Sequence, residues 1–180
     1  MAFGVNAWGV DNPVLNNFNK ILLSTKEVSS GDTSVEFDLS YPVSVYKSFI
    51  IEGDALIASA AIAQLQAVFG IGGGYYTAAS YNWTPLSNLP VLNDTSIGIP
   101  VDILTSPVEA SRLIIEVFQV SFSYSSSPSL EYRSYKGDNL LILGGGRLAV
   151  LGAVTALKLT ASAGAFQSGK FSCFGLPSTT

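Results

Sequence analysis

Ser34-Val35-Glu36-Phe37-Asp38-Leu39-Ser40 alternates without a break: Val35, Phe37 and Leu39 point to one side, Glu36 and Asp38 to the other. Successive side chains of a β-strand face opposite ways, so this stretch reads as a strand with one dry and one wet face. Ser29-Ser30-Gly31-Asp32 ahead of it is turn chemistry. Lys20 to Ser24 is the expected partner strand. Lys47 to Glu52 is expected to follow as a strand that closes at Gly53-Asp54.

The same reading extends along the chain. Arg112 to Tyr124 (RLIIEVFQVSFSY) is dense in β-branched and aromatic residues. Ile114, Phe118, Val120 and Phe122 share a face with Glu116, while Leu113, Ile115 and Val117 occupy the opposite one. Leu130 to Lys136 is a shorter return strand after the loop Ser125-Ser126-Ser127-Pro128, and Lys136-Gly137-Asp138-Asn139 is a turn. Leu140 to Leu143, Leu148 to Ala161 and Ala165 to Phe174 complete the chain, punctuated by Gly144-Gly145-Gly146 and by Gly164. Ala55 to Phe69 is ambiguous by propensity, since its alanines favour a helix. Its neighbours are all strands, so a long Ala-rich strand is expected there. Gly72-Gly73-Gly74 then turns into Tyr75-Tyr76, and long loops surround Pro85, Pro90 and Pro100. No internal repeat divides the chain. Many strands at short spacing, with Gly, Pro and Ser turns, predict an all-β protein: an antiparallel β-sandwich, jelly-roll-like, as a single domain over residues 1–180.

Composition narrows the function. The 180 residues include no histidine and one cysteine, Cys173. The commonest general base, the commonest metal ligand and any intramolecular disulfide are therefore missing. Charged residues make up 12 %, against about 25 % in an ordinary soluble domain. The net charge is −4 and the nine Lys and Arg are scattered. Nucleic-acid binding needs a clustered basic footprint, so it is not expected. The greasy stretches Ala55 to Ile71 and Leu140 to Leu159 are interrupted by Gln, Gly, Arg and Lys. Neither gives the ~20 clean apolar residues of a spanning helix, and no membrane insertion is expected. The first residues lack a basic n-region and read as a strand, not a signal peptide.

Few motifs carry chemistry. Glu36 with Asp38 and Glu52 with Asp54 are carboxylate pairs of the kind glycoside hydrolysis uses. Their neighbours are Ser and Gly with no aromatic cleft, so a wetted strand face and a turn are the better readings. No Ser-x-x-Lys, Walker spacing or calcium-loop pattern occurs. The glycine clusters at 70–74 and 144–146 therefore read as bulges and tight turns. Cys173, between Phe171 and Phe174, reads as a small buried apolar residue. No catalytic residue, cofactor or metal is expected.

Two surfaces remain as candidates. Ile115 and Val117, and in the later stretch Val150, Val154 and Leu157, belong to strands read as apolar on both faces. A two-layer sandwich buries only one face of each sheet, so these five are the expected interface between subunits. Tyr75, Tyr76, Tyr81 and Trp83 cluster around one hairpin-like segment, where exposed rings could stack on sugars. That gives the alternative of a carbohydrate-binding module or lectin-like adhesin with a cell-surface glycan as partner.

Met1-Ala2-Phe3-Gly4-Val5-Asn6-Ala7-Trp8 resembles the start of small tail-tip and minor tail proteins of tailed bacteriophages, in which a short N-terminal strand leads into a β-rich body. The chain departs from them at Asp11-Asn12-Pro13, where a glycine hairpin would be more typical. The resemblance implies a non-enzymatic virion protein, a tail, tail-tip or decoration subunit. Its partners would be copies of itself, as a homo-oligomer, and other virion proteins.

Overall fold

The computed structural model describes residues 20–42, 44–85, 91–103, 105, 111–118, 127–136 and 139–178. The resemblance over residues 1–8 and the turn at 137–138 lie outside them, as does the part of the 112–124 strand beyond Phe118. Among the described residues there is no helix. Thirteen strands follow one another: β1 (Ile21–Ser29), β2 (Ser34–Asp38), β3 (Tyr46–Ala58), β4 (Ile62–Ile71), β5 (Gly74–Tyr75), β6 (Tyr81–Pro85), β7 (Val91–Asp94), β8 (Ile97–Ile103), β9 (Ser111–Phe118), β10 (Ser129–Lys136), β11 (Asn139–Leu148), β12 (Val154–Ala161) and β13 (Phe166–Pro177).

They form two antiparallel sheets packed face to face, a β-sandwich. The larger has the order β1-β13-β3-β9-β10-β11-β6-β7. The smaller runs β2-β12-β4, with β8 along the first part of β4 and the short β5 along its end. Alternation decides which side chains meet between the sheets. The large sheet contributes Phe49, Ile51, Leu113, Ile115, Val117, Leu130, Tyr132, Phe171 and Cys173. The small sheet contributes Val35, Phe37, Leu65, Phe69, Ile97, Leu157 and Leu159. Burial of each such Leu, Val, Ile or Phe contributes about 1.5–3 kcal/mol. Aromatic contacts cross the gap: Phe37 meets Phe171 edge-on at 6.1 Å and Phe69 stacks on Tyr81 at 6.2 Å.

Several elements differ from the sequence reading. The strand at 34–38 forms as expected, but the segment from Lys20 does not pair with it. β1 pairs with β13 in the large sheet and β2 with β12 in the small one. The turn between them carries the chain from one layer to the other. Asp32 holds it, accepting hydrogen bonds from the Ser29 backbone N–H at 2.8 Å and from its hydroxyl. β3 does not close at Gly53-Asp54 but continues to Ala58 through a bulge between Gly53 and Leu56. Ala55, at φ 51°, takes up the bend. The Ala-rich stretch is β-structure, yet not one strand: residues 59–61 break it, and β3 and β4 lie in opposite sheets. Gly72 and Gly73 form the expected tight turn between β4 and β5, both at positive φ. The loops expected around Pro85 and Pro100 contain the strands β6 and β8. Pro100 costs no ladder bond on its outer side, because among the described residues β8 pairs only with β4.

Gly144-Gly145-Gly146 is strand interior, not a turn. A Cβ on Gly146 would stand 2.7 Å from Trp83 Cβ and 2.9 Å from Ile97, and one on Gly144 would stand 2.5 Å from the Tyr132 hydroxyl. These two glycines let Tyr132, Trp83 and β8 lie close under β11.

Candidate functional site

The expected intersubunit residues are mostly core. Ile115, Val117 and Leu157 are fully buried, and Val154 is 2 % exposed, all within the sandwich. Val150 packs against the same core from the loop between β11 and β12. The reason for the misassignment on β12 is a bulge. The register to β4 slips between Val154 and Ala156, so Thr155 is an extra residue. Val154 and Leu157 therefore face inward together, although simple alternation puts them on opposite sides. On β9 the two-sided pattern is real, with the roles split: Leu113, Ile115 and Val117 face the core, and Ile114 and Phe118 lie half-buried on the outer face.

The aromatic platform is not assembled. Tyr81 is fully buried, its hydroxyl accepting from Phe69 N–H at 3.0 Å and donating to the Tyr76 carbonyl at 2.7 Å. Trp83 packs inward and donates from Nε1 to Asp94 Oδ2 at 3.1 Å. Tyr76 meets Tyr81 edge-on at 6.5 Å as part of the packing. Tyr75 alone stands well out, and it is engaged by its neighbours: Lys158 Nζ lies 5.5 Å from its ring centre. Burial, with the Glu36 charge beside it, pushes its phenol up to about 12.

The carboxylate pairs resolve into separate structural roles. Glu36 pairs with Lys158 at 2.9 Å on the outer face of the small sheet. Asp38 accepts from the Ser40 backbone N–H at 2.9 Å and from its hydroxyl. Glu52 pairs with Lys20 at 2.8 Å, and Lys20 Nζ also sits 4.1 Å over the Phe174 ring. Cys173 is fully buried, and burial, with Asp38 nearby, pushes its thiol up to about 12, which removes thiolate reactivity. Among the described residues no three His, Cys, Asp or Glu side chains gather where they could hold a metal.

The surface that the sequence reading missed is the outer face of the large sheet. Register fixes its rows. One runs Leu22, Phe174, Ile50, Glu116, Glu131, Gly145, Thr84 from β1 to β6. The row beside it runs Leu176, Ser48, Phe118, Ser129, Arg147, Asn82. The first half of this face is apolar. Ile50 is 3 % exposed, though it lies outside the core between the sheets. Leu22 at its border is 57 % exposed. Ser48 donates to Glu116 at 2.9 Å between the two halves. The second half is concave and partly polar, a groove of about 440 Å³ floored by Gly145 and bordered by Phe118, Glu131, Arg147, Asn82 and Thr84, with Trp83, Leu92 and Leu130 also in its lining. Comparison with family models, with curated proteins and with solved structures returns no match, so the molecule is defined by its own geometry: a two-sheet sandwich with an apolar border and a partly polar groove on one outer face.

Proposed function

We propose that this protein is a non-enzymatic structural subunit of a virion, of the tail, tail-tip or decoration kind. It works through oligomeric assembly with copies of itself and with other virion proteins. One observation carries the reading. Among the described residues the nine-residue strand β1 forms an edge of the large sheet, with Leu22 57 % exposed at the end of the apolar row that contains Phe174 and Ile50. A long edge strand offers unpaired backbone groups to another chain, and proteins that stay monomeric blunt such edges with charge, bulges or short length. β1 carries an irregularity between Leu22 and Ser24 and two charges, Lys26 and Glu27, yet Leu22 still brings an apolar side chain to the edge, and the low overall charge does little to keep copies apart. The opening octapeptide supports the virion setting by resemblance alone.

The test is the mass of the native particle by light scattering at micromolar concentration. A particle several times heavier than the 18.9 kDa chain is expected. Leu22→Asp is expected to reduce it to single chains with an unchanged far-ultraviolet circular dichroism spectrum. A wild-type chain that stays monomeric and monodisperse at high micromolar concentration overturns self-assembly.

A further inference from the structure

We propose that the groove on the outer face of the large sheet binds a neutral pyranose unit of a larger glycan. The claim is independent of self-assembly; of the aromatic residues singled out from the sequence only Trp83 lines this groove, and the argument rests on other groups.

The floor is the first argument. Gly144 and Gly146 are held as glycine by packing, since a Cβ on either would strike side-chain atoms at 2.5 Å and 2.7 Å. Gly145 is different. Its Cβ would meet the Leu130 carbonyl oxygen at 3.0 Å and Glu131 Cγ at 3.6 Å, with nothing of the core in reach. That contact with a backbone carbonyl is tight but is no collision with the core, and the bare position also opens the groove. Its volume of about 440 Å³ falls within the ~300–1,000 Å³ of small-ligand sites.

The walls are the second argument. Glu131 lies opposite Gly145 on the neighbouring strand and Arg147 two residues along the same strand, and neither has an ion pair among the described residues. A carboxylate only accepts and a guanidinium only donates. Together they suit a group that donates and accepts at once, which is a hydroxyl. Their opposite charges disfavour an anion and a cation alike. Thr84, Ser129 and Asn82 add neutral polar groups along the same wall. Phe118, half-buried at the other end, offers an apolar ring to the C–H face of a sugar.

The experiment applies the full chain to a printed array of neutral and anionic oligosaccharides. The brightest neutral one is then titrated calorimetrically against wild type, Gly145→Leu and Arg147→Ala. Binding to neutral glycans is expected, weakened about tenfold or more by each substitution, or at least 1.4 kcal/mol. Arg147 is exposed, so its variant decides the matter if Gly145→Leu fails to fold. Absence of binding to every neutral oligosaccharide overturns the proposal. So does binding confined to anionic ones, or binding that Arg147→Ala leaves unchanged.

Discussion

Glu116 on β9 and Glu131 on β10 stand directly opposite each other on the outer face of the large sheet. Like charges at opposed positions on adjacent strands repel, by roughly 0.2–1 kcal/mol. Glu116 is anchored by the Ser48 hydroxyl, whereas Glu131 borders the groove. Glu131→Gln should therefore raise stability by a few tenths of a kcal/mol up to about 1, read as a higher urea midpoint. The same substitution should weaken any sugar bound in the groove. A lower midpoint would show that the two carboxylates do not repel.

The three consecutive glycines of β11 should respond differently to alanine. Gly146→Ala drives a methyl into Trp83 and Ile97, and Gly144→Ala drives one into Tyr132. Overpacking of this kind costs about 1–3 kcal/mol. Gly145→Ala meets the Leu130 carbonyl oxygen at 3.0 Å and Glu131 Cγ at 3.6 Å and should cost less. Thermal unfolding of the three variants gives the order, and equal losses at all three positions would refute the assignment of Gly145 to the open face.

Two buried phenols make a matched pair. The Tyr81 hydroxyl bridges Phe69 N–H and the Tyr76 carbonyl. Tyr81→Phe strands a buried donor and should cost about 1–3 kcal/mol. The Tyr132 hydroxyl is equally enclosed and has no hydrogen-bond partner among the described residues. Tyr132→Phe should be neutral or stabilising, because the desolvation penalty of an unmet hydroxyl disappears with it. Denaturant titrations of both variants check the contrast, which a loss at Tyr132→Phe would contradict.

The Glu36–Lys158 pair sets an acid limit. The hydrogen bond from Lys158 holds the Glu36 carboxyl below its ordinary 4.5, with the Tyr75 hydroxyl assisting. The Ser40 hydroxyl and backbone N–H hold Asp38 below 3.8. A carboxyl depressed in the folded state adds stability above its unfolded value and loses it as pH falls through its folded value. Both groups face solvent, so screening keeps each contribution below about 1 kcal/mol. Between pH 5 and pH 3 the wild type should lose more stability than Lys158→Met. Parallel curves of urea midpoint against pH would show that the pair carries no linkage.

What the sequence disclosed is what a strand discloses locally. The alternation of Val35, Phe37 and Leu39 names a half-buried strand without help from any other residue, and so does that of Leu113, Ile115 and Val117. Layer and partner are tertiary facts. Nothing in Ser29-Ser30-Gly31-Asp32 says whether the chain turns back into the same sheet or crosses to the other, and it crosses. A single extra residue at Thr155 reverses the side assignment of everything before it. The glycines at 144–146 read as punctuation because the atoms that require them, on Tyr132, Trp83 and Ile97, are distant in sequence. The groove escaped notice for the same reason: Asn82, Phe118, Glu131 and Arg147 come from four strands and share no motif.

β13 lies between β1 and β3, so the third strand made and the first are joined only through the last. At a synthesis rate of roughly 5–20 residues per second, more than a hundred residues must emerge after β3 before β13 can join it to β1, although β9 reaches the other side of β3 sooner. Until then β3 keeps an open edge beside Phe49, Ile50 and Ile51, and β1 has no sheet to join. The large sheet is therefore completed after translation of its final strand, not during emergence. A newborn chain stalled before Phe166 would present its stickiest edges to the cell, and losing β13 would undo the border of the sheet from which assembly is proposed to start.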